Sequence, residues 1–217
     1  MPKLQAAIFD VGGVLTVSPV QRIIDFSREH GISDETRMRI FSHGESPWSR
    51  FERSELDTAG FAAEFDLAAQ QAPVPTKVSG AAFMQFFFQG FAPRPEMLAV
   101  VEALRGQVKL GCITNNVARD EAPRTRTSGL DVHSLFEVVI ESAKVGLRKP
   151  DPAIYLMTCE KLGVAPEQAV FLDDIGQNLK GARAVGMTTI RVDETLSAID
   201  ELEEALGILL PRPTTAA

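Results

Sequence analysis

The stretch AAIFDVGG, from Ala6 to Gly13, decides the fold, because a short continuous apolar run ends there at an acid followed by glycines. Apolar runs of this length without alternation are typical of strands that are buried on both faces of a parallel sheet. Four further runs have the same character: Val108 to Ile113, Phe136 to Ile140, Ala169 to Leu172 and Thr188 to Val192.

Helical patterns lie between the later runs. Glu96 to Leu104, Pro152 to Leu162 and Gln177 to Val185 carry apolar residues at helical spacing, and Asp151 and Gly163 bracket the second as a start and a stop signal. This alternation predicts an α/β fold with a doubly wound, mostly parallel, Rossmann-like sheet. In such sheets ligands bind beyond the carboxyl ends of the strands.

A long segment after the first strand breaks the alternation. It contains four helical patterns and is too long for a loop; they run from Val20 to Glu29, Asp34 to Ser42, Thr58 to Gln70 and Gly80 to Gln89. We therefore predict a core domain of residues 1–16 and 93–217 and a helical cap domain of residues 17–92, folded over the strand ends.

The composition excludes several classes of function. The 217 residues are 45% hydrophobic and 24% charged, and the formal net charge is -7. An acidic chain without a basic run is a poor binder of nucleic acid or of an anionic membrane. The two cysteines are scattered, and no apolar run is long enough for a membrane span. The first residues lack the apolar region of a signal peptide, so we expect none. We expect a cytoplasmic protein.

Polar residues follow the apolar runs. Asp10 is a candidate nucleophile or metal ligand, or else a carboxylate that caps a turn. Thr114 and Asn115 could donate hydrogen bonds to phosphate oxygens, or else cap a helix. Lys149 lies before a proline and could neutralise anionic oxygens, although an isolated lysine is usually a solvated surface charge.

Asp173 and Asp174 follow the fourth run directly. Two adjacent acids at a buried strand end repel each other unless a cation is present, and oxygen ligands suit magnesium. The alternative is a helix N-terminus, where acidic residues are favoured by the helix dipole. We favour the metal site. An acid, a hydroxyl, a lysine and an acid pair, each at its own strand end, could converge on one site.

These motifs resemble those of the haloacid dehalogenase superfamily. The matching segments are Phe9 to Leu15, Ile113 to Asn115, Lys149-Pro150 and Leu172 to Asp174, in that order. The resemblance covers nearly the whole chain and is closest to the N-terminal phosphatase domain of bifunctional soluble epoxide hydrolases. It implies a magnesium-dependent hydrolase that acts on a small phosphorylated substrate.

The resemblance also implies roles for single residues. Asp10 attacks phosphorus and forms an aspartyl-phosphate. Magnesium is bound by the Asp10 carboxylate, the carbonyl at Gly12 and Asp174, while Asp173 and Asn178 support the site from behind.

The remaining implied roles concern the substrate. Thr114, Asn115 and Lys149 orient the phosphoryl group, so that Thr114 and Lys149 count as catalytic with Asp10. Arg94, between two prolines, is our candidate for a further anionic group of the substrate, against the alternative of an ordinary solvated charge. The segment from Phe83 to Phe91 could be cap core, a face for a homodimer, or a lipid-tail pocket.

Gly12 departs from the pattern that the resemblance implies. Phosphatases of this superfamily usually carry a second Asp there, which protonates the leaving alcohol and then activates water. Such a group contributes about 10²–10⁴-fold in rate. Three outcomes stay open: a slow or selective phosphatase, a haloacid dehalogenase, or a catalytically impaired domain that binds phosphate or dimerises.

Overall fold

The computed structural model describes residues 3–42, 44–72, 77–89, 91–117 and 130–212. Within these ranges the chain forms a five-stranded parallel sheet of order β3-β2-β1-β4-β5. The strands are β1 (Ala6–Phe9), β2 (Lys109–Thr114), β3 (Val138–Glu141), β4 (Ala169–Asp173) and β5 (Thr188–Arg191). The predicted α/β fold with a doubly wound parallel sheet is confirmed.

The helices come in two groups along the chain. Among the described residues, five precede Pro93: α1 (Pro19–Glu29), α2 (Asp34–Phe41), α3 (Pro47–Glu52), α4 (Thr58–Gln70) and α5 (Gly80–Phe87). The others are α6 (Pro95–Leu104), α7 (Val132–Leu135), α8 (Ser142–Val145), α9 (Pro152–Leu162), α10 (Gly176–Ala184) and α11 (Thr195–Leu206). A short 3-10 turn, Pro166–Gln168, precedes β4.

The sheet is buried on both faces, as its continuous apolar strands require. One face packs against α6 and α11 through residues such as Phe9 and Leu172. The other packs against α9 and α10 through residues such as Ile8 and Phe171. Gly111 in β2 allows close packing, since a Cβ there would lie 2.9 Å from the Leu162 side chain. The central strand β1 therefore lies between two hydrophobic layers, and its carboxyl end is fixed.

Helices α1 to α5 enclose a hydrophobic cluster of their own, rich in aromatic rings. Phe83, Phe87 and Phe91 are buried in it, so these rings of the Phe-rich segment form interior packing. We call residues 17–92 the helical insert; its division from the core as a separate domain stays a prediction. The chain enters and leaves it side by side, where Val17 N donates to Ala92 O and Arg94 N donates to Leu15 O, at 2.9 and 2.7 Å.

No helix in the described ranges is both long and apolar enough to cross a membrane.

Candidate active site

The carboxyl ends of β1 and β4 bring two acids to one lysine. Lys149 Nζ lies 2.8 Å from Asp10 Oδ1 and 2.7 Å from Asp173 Oδ2. Lys149 and Asp173 are fully buried, and Asp10 is only 6% exposed. Three ionisable groups removed from water are costly unless they compensate one another. The arrangement is typical of an active site whose charged groups are preorganised to bind a substrate.

Two backbone contacts hold Lys149. Lys149 N donates to Asn115 Oδ1 at 2.8 Å, and Asn115 Nδ2 donates to Lys149 O at 3.0 Å. Asn115 directly follows β2, so this pair of bonds joins the lysine segment to the end of that strand. Burial alone would lower the pKa of Lys149, but Asp10 and Asp173 outweigh it and hold the pKa above its ordinary value. The two acidic neighbours therefore favour the positively charged form of the lysine.

Asp173 accepts hydrogen bonds from three residues, the first of which is Lys149. Asn178 Nδ2 donates to both of its carboxylate oxygens at 3.1 and 3.0 Å, and Ile175 N donates to Oδ1 at 2.8 Å. Tyr155 in turn donates its hydroxyl to Asn178 O at 2.8 Å. Both carboxylate oxygens of Asp173 therefore have donors, and this carboxylate is suited to fixing Lys149.

Asp174 is bound differently. Ser18 Oγ donates to its Oδ2 at 2.7 Å, whereas its buried Oδ1 has no hydrogen-bond partner among the described residues. Gly13 makes room for this carboxylate, since it has φ +83° and a Cβ there would lie 2.1 Å from Asp174 Oδ2. A buried carboxylate oxygen without a donor is costly and fits a position where a cation binds.

The acids fit a divalent cation as a group. One oxygen from each of Asp10, Asp173 and Asp174 lies within 4.8 Å of the others. Burial raises the pKa of Asp10 well above its ordinary value, against the effect of Lys149, and the other two acids raise it further. Burial likewise raises the pKa of Asp174. A second positive charge beside Lys149 would relieve this repulsion, and an all-oxygen ligand set is the one magnesium prefers.

The backbone at Gly12 is packed tightly against the helical insert. A Cβ at this position would lie 2.7 Å from both Cγ and Cδ of Pro19, the first residue of α1. Any side chain at position 12 therefore requires Pro19 to move. The structure gives a steric reason for glycine here that the sequence did not reveal.

Thr114 and Arg94 are the other two predicted residues of this site. Thr114 is the last residue of β2, beside Asn115, and is partly buried. Arg94 lines a cleft of about 310 Å³ together with Ser18 and Asp174. Its Nη1 donates to Thr195 Oγ1 at 3.4 Å. Arg94 is thus at the same cleft as Asp174.

Sequence reasoning missed three residues of this site, namely Ser18, Pro19 and Tyr155. Ser18-Pro19 is a recognisable helix start, but its contacts with Asp174 and Gly12 arise only when α1 folds back on the strand ends. Tyr155 is the single tyrosine of the chain. A buried tyrosine usually has a hydrogen-bond partner, which was the available signal.

The geometry and the comparisons with known proteins agree on the class. A family model described as haloacid dehalogenase-like hydrolase matches residues 4–186. The chain belongs to the haloacid dehalogenase-like hydrolase family, and the predicted resemblance is confirmed.

Several relatives match this chain at moderate sequence identity. Mouse acyl-CoA dehydrogenase family member 10 is 33% identical over 95% of this chain, and rat bifunctional epoxide hydrolase 2 is 30% identical over 96%. The chain spans only 19% and 40% of these two proteins. The sesquiterpene phosphatase astK of Aspergillus oryzae is 26% identical, with 94% of this chain and 97% of that protein covered.

A solved structure has the same fold. The family enzyme BT-2542 of Bacteroides thetaiotaomicron, crystallised with magnesium and inorganic phosphate, superposes with a TM-score of 0.63 at 20% identity. The alignment covers 88% of this chain and 96% of that one. At this identity the likeness establishes the fold.

Proposed function

We propose that the protein is a magnesium-dependent phosphatase that hydrolyses a small phosphomonoester through an aspartyl-phosphate on Asp10. The observation that carries the proposal is the buried cluster in which Lys149 bridges Asp10 and Asp173 while Asp174 presents an oxygen without a donor. Phosphoryl transfer depends mainly on positioning and charge neutralisation, which such a cluster supplies. A phosphatase among the relatives, astK, supports the same substrate class.

The residues divide the chemistry among them. In the first step an Asp10 oxygen forms a bond to phosphorus, and the bond between phosphorus and the alcohol oxygen breaks. Lys149, Thr114 and Asn115 orient the phosphoryl oxygens, and Lys149 offsets their charge. In the second step water attacks phosphorus and releases phosphate, which restores the Asp10 carboxylate. Asp173 and Asn178 keep Lys149 in place throughout.

The donor set suggests how the metal is bound. Magnesium, held by the carboxylates of Asp10 and Asp174 and the carbonyl of Gly12, would supply further positive charge next to the transferred group. Arg94 would contact an anionic part of the substrate within the cleft beside Asp174.

Gly12 restricts the substrates. Without an acid at this position, the departing alcohol takes its proton from water, and esters of acidic alcohols react fastest. We also propose that the protein acts on a small molecule in the cytoplasm, and a homodimer stays part of this proposal. Cys112 and Cys159 are buried and free, as expected in a reducing compartment.

A second function has support from one observation. An acid side chain at position 12 would have to displace Pro19, which favours an impaired domain that binds phosphate without turning it over. Trapping tests whether Asp10 can carry a phosphoryl group, because beryllium fluoride mimics an aspartyl-phosphate, and turnover of a phosphate ester then separates the two functions. With magnesium, beryllium fluoride should raise the Tm of the wild type but not of Asp10→Asn. Inorganic phosphate raising the Tm of both proteins, with no response to beryllium fluoride, would favour the binding domain.

A further inference from the structure

A buried ion pair joins the helical insert to the segment that carries Lys149. Arg148 Nε and Nη2 lie 2.7 and 2.6 Å from Glu52 Oε2, and Arg148 Nη1 donates to Ser49 Oγ at 3.0 Å. The side chains of Arg148 and Glu52 are 10% and 7% exposed. Both Glu52 and Ser49 belong to α3, so the guanidinium is bound by one short helix of the insert.

Glu52, the acidic partner of this pair, is held by a second donor. Trp48 Nε1 donates to Glu52 Oε1 at 2.9 Å, so both carboxylate oxygens have donors. The Trp48 ring lies within the aromatic cluster of the insert, 4.9 Å from Phe87 between centroids. Charge-assisted bonds from a planar guanidinium fix direction as well as distance. Glu52 therefore fixes the position of Arg148 relative to the insert.

Arg148, the basic partner, lies next to the proposed active site. Arg148 directly precedes Lys149, whose backbone is bound on the core side by Asn115 and whose Nζ lies between Asp10 and Asp173. The segment is thus held from two sides, by Asn115 in the core and by Glu52 in the insert. A nearby second tether, Ser54 Oγ to Ala143 O at 2.8 Å, joins the insert to α8 in the same region.

We propose that Glu52 is a positioning residue, which acts through Arg148 to set Lys149 against Asp10 and to seat α3 beside the strand ends. This inference rests on the proposed function for its activity readout. A misplacement of a catalytic group by about 1 Å can cost about 100-fold in rate, so a tether one residue from Lys149 has leverage on turnover.

The test variant is Glu52→Gln, which keeps the side-chain shape and removes the charge. The matched control is Glu102→Gln, which breaks an exposed pair with Arg105 at 3.1 Å on α6. With p-nitrophenyl phosphate and magnesium, kcat of Glu52→Gln should fall by about 10–100-fold with a smaller change in KM. Hydrogen exchange of a peptide covering residues 146–151 should become faster. Neither quantity should change in the control.

Further outcomes separate this role from a purely structural one. In Arg148→Met, kcat should fall as in Glu52→Gln, and the double variant should be no worse than either single one, because the two residues act as one unit. A lower Tm with unchanged kcat and unchanged exchange at 146–151 would overturn the proposal. If Glu52→Gln does not fold, Ser49→Ala removes one bond to Arg148, and the same two readouts decide.

The two proposals can fail separately. If the wild type turns over no phosphate ester, the proposed function fails, while the exchange rate at residues 146–151 still tests the positioning. If the wild type is active and Glu52→Gln is equally active with unchanged exchange, only the positioning role is refuted.

Discussion

Replacing Lys149 by methionine removes the positive charge between two buried carboxylates and keeps a side chain of similar length. Lys149 is fully buried and contacts Asp10 and Asp173 at 2.8 and 2.7 Å. Removing one partner of a buried ion pair costs about 3–5 kcal/mol, because the remaining charge is left uncompensated. For a chain of this size that predicts a fall in Tm on the order of 10 °C.

The pH dependence of this loss has a definite sign. The pKa of Lys149 is held above its ordinary value, so its stabilising contribution is full below the ordinary lysine pKa and is lost as pH rises through the raised one. In the variant, Asp10 can accept a proton in acid, since burial raises its pKa. The difference between wild type and Lys149→Met should therefore shrink as pH falls from 8 to about 5.

Urea unfolding without magnesium measures this difference. The matched control is Lys144→Met, which removes a lysine that is 61% exposed and paired with Glu141. Exposed pairs contribute about 0–1 kcal/mol, so the control should stay close to wild type. A loss in Lys149→Met below about 1 kcal/mol at pH 7.5, or one equal to the control, would refute the reasoning that this lysine compensates two buried acids.

Three other predictions concern the metal, the glycine and the substrate cleft. Burial raises the pKa of Asp174, so the contribution of this residue to stability is full in acid and is lost as pH rises through that pKa. Asp174→Asn should therefore melt no lower than wild type at pH 7.5 in EDTA. Magnesium at 100 times its Kd should stabilise wild type by about 2.7 kcal/mol and the variant by far less, and equal shifts by calorimetry would contradict the metal site. Gly12→Asp alone should lower Tm without raising turnover, because its Cβ meets Pro19 at 2.7 Å. The double variant Gly12→Asp with Pro19→Ala should regain Tm and hydrolyse alkyl phosphates faster than wild type. A single Gly12→Asp variant that is stable and faster would argue against the steric account. Arg94→Gln should raise KM about 10-fold for a phosphate ester that bears a second anionic group and leave KM for p-nitrophenyl phosphate unchanged. Equal effects on both substrates would contradict a subsite for the second anionic group at Arg94.

The parts of the fold that the sequence predicted are those with local signals. The strands appeared as continuous apolar runs, and α9 was bounded by Asp151 and Gly163, which the structure uses as its N-cap and C-cap. Helix α3 was not predicted, since six residues are too few for a periodic pattern. Helix α11 was also not assigned, although Leu196, Ile199 and Leu202 carry a helical spacing.

The candidate site could likewise be predicted only where the sequence carries local signals. Residues that follow strands, such as Asp10 and Asp173, could be predicted to converge because parallel strands end at one edge. Contacts between distant segments could not, since nothing local to Glu52 or Arg148 specifies a partner 96 positions away. The same holds for Ser18 and Asp174, which are 156 positions apart.

The central claim is that Asp10 is the nucleophile of a magnesium-dependent phosphatase. The most direct test is hydrolysis of p-nitrophenyl phosphate by wild type and Asp10→Asn, each with and without magnesium, because this leaving group needs little protonation and the glycine at position 12 is least limiting there. We predict turnover that requires magnesium in the wild type and is abolished in Asp10→Asn, with the variant still folded. Turnover retained by Asp10→Asn, or absent from a folded wild type with magnesium, would contradict the account.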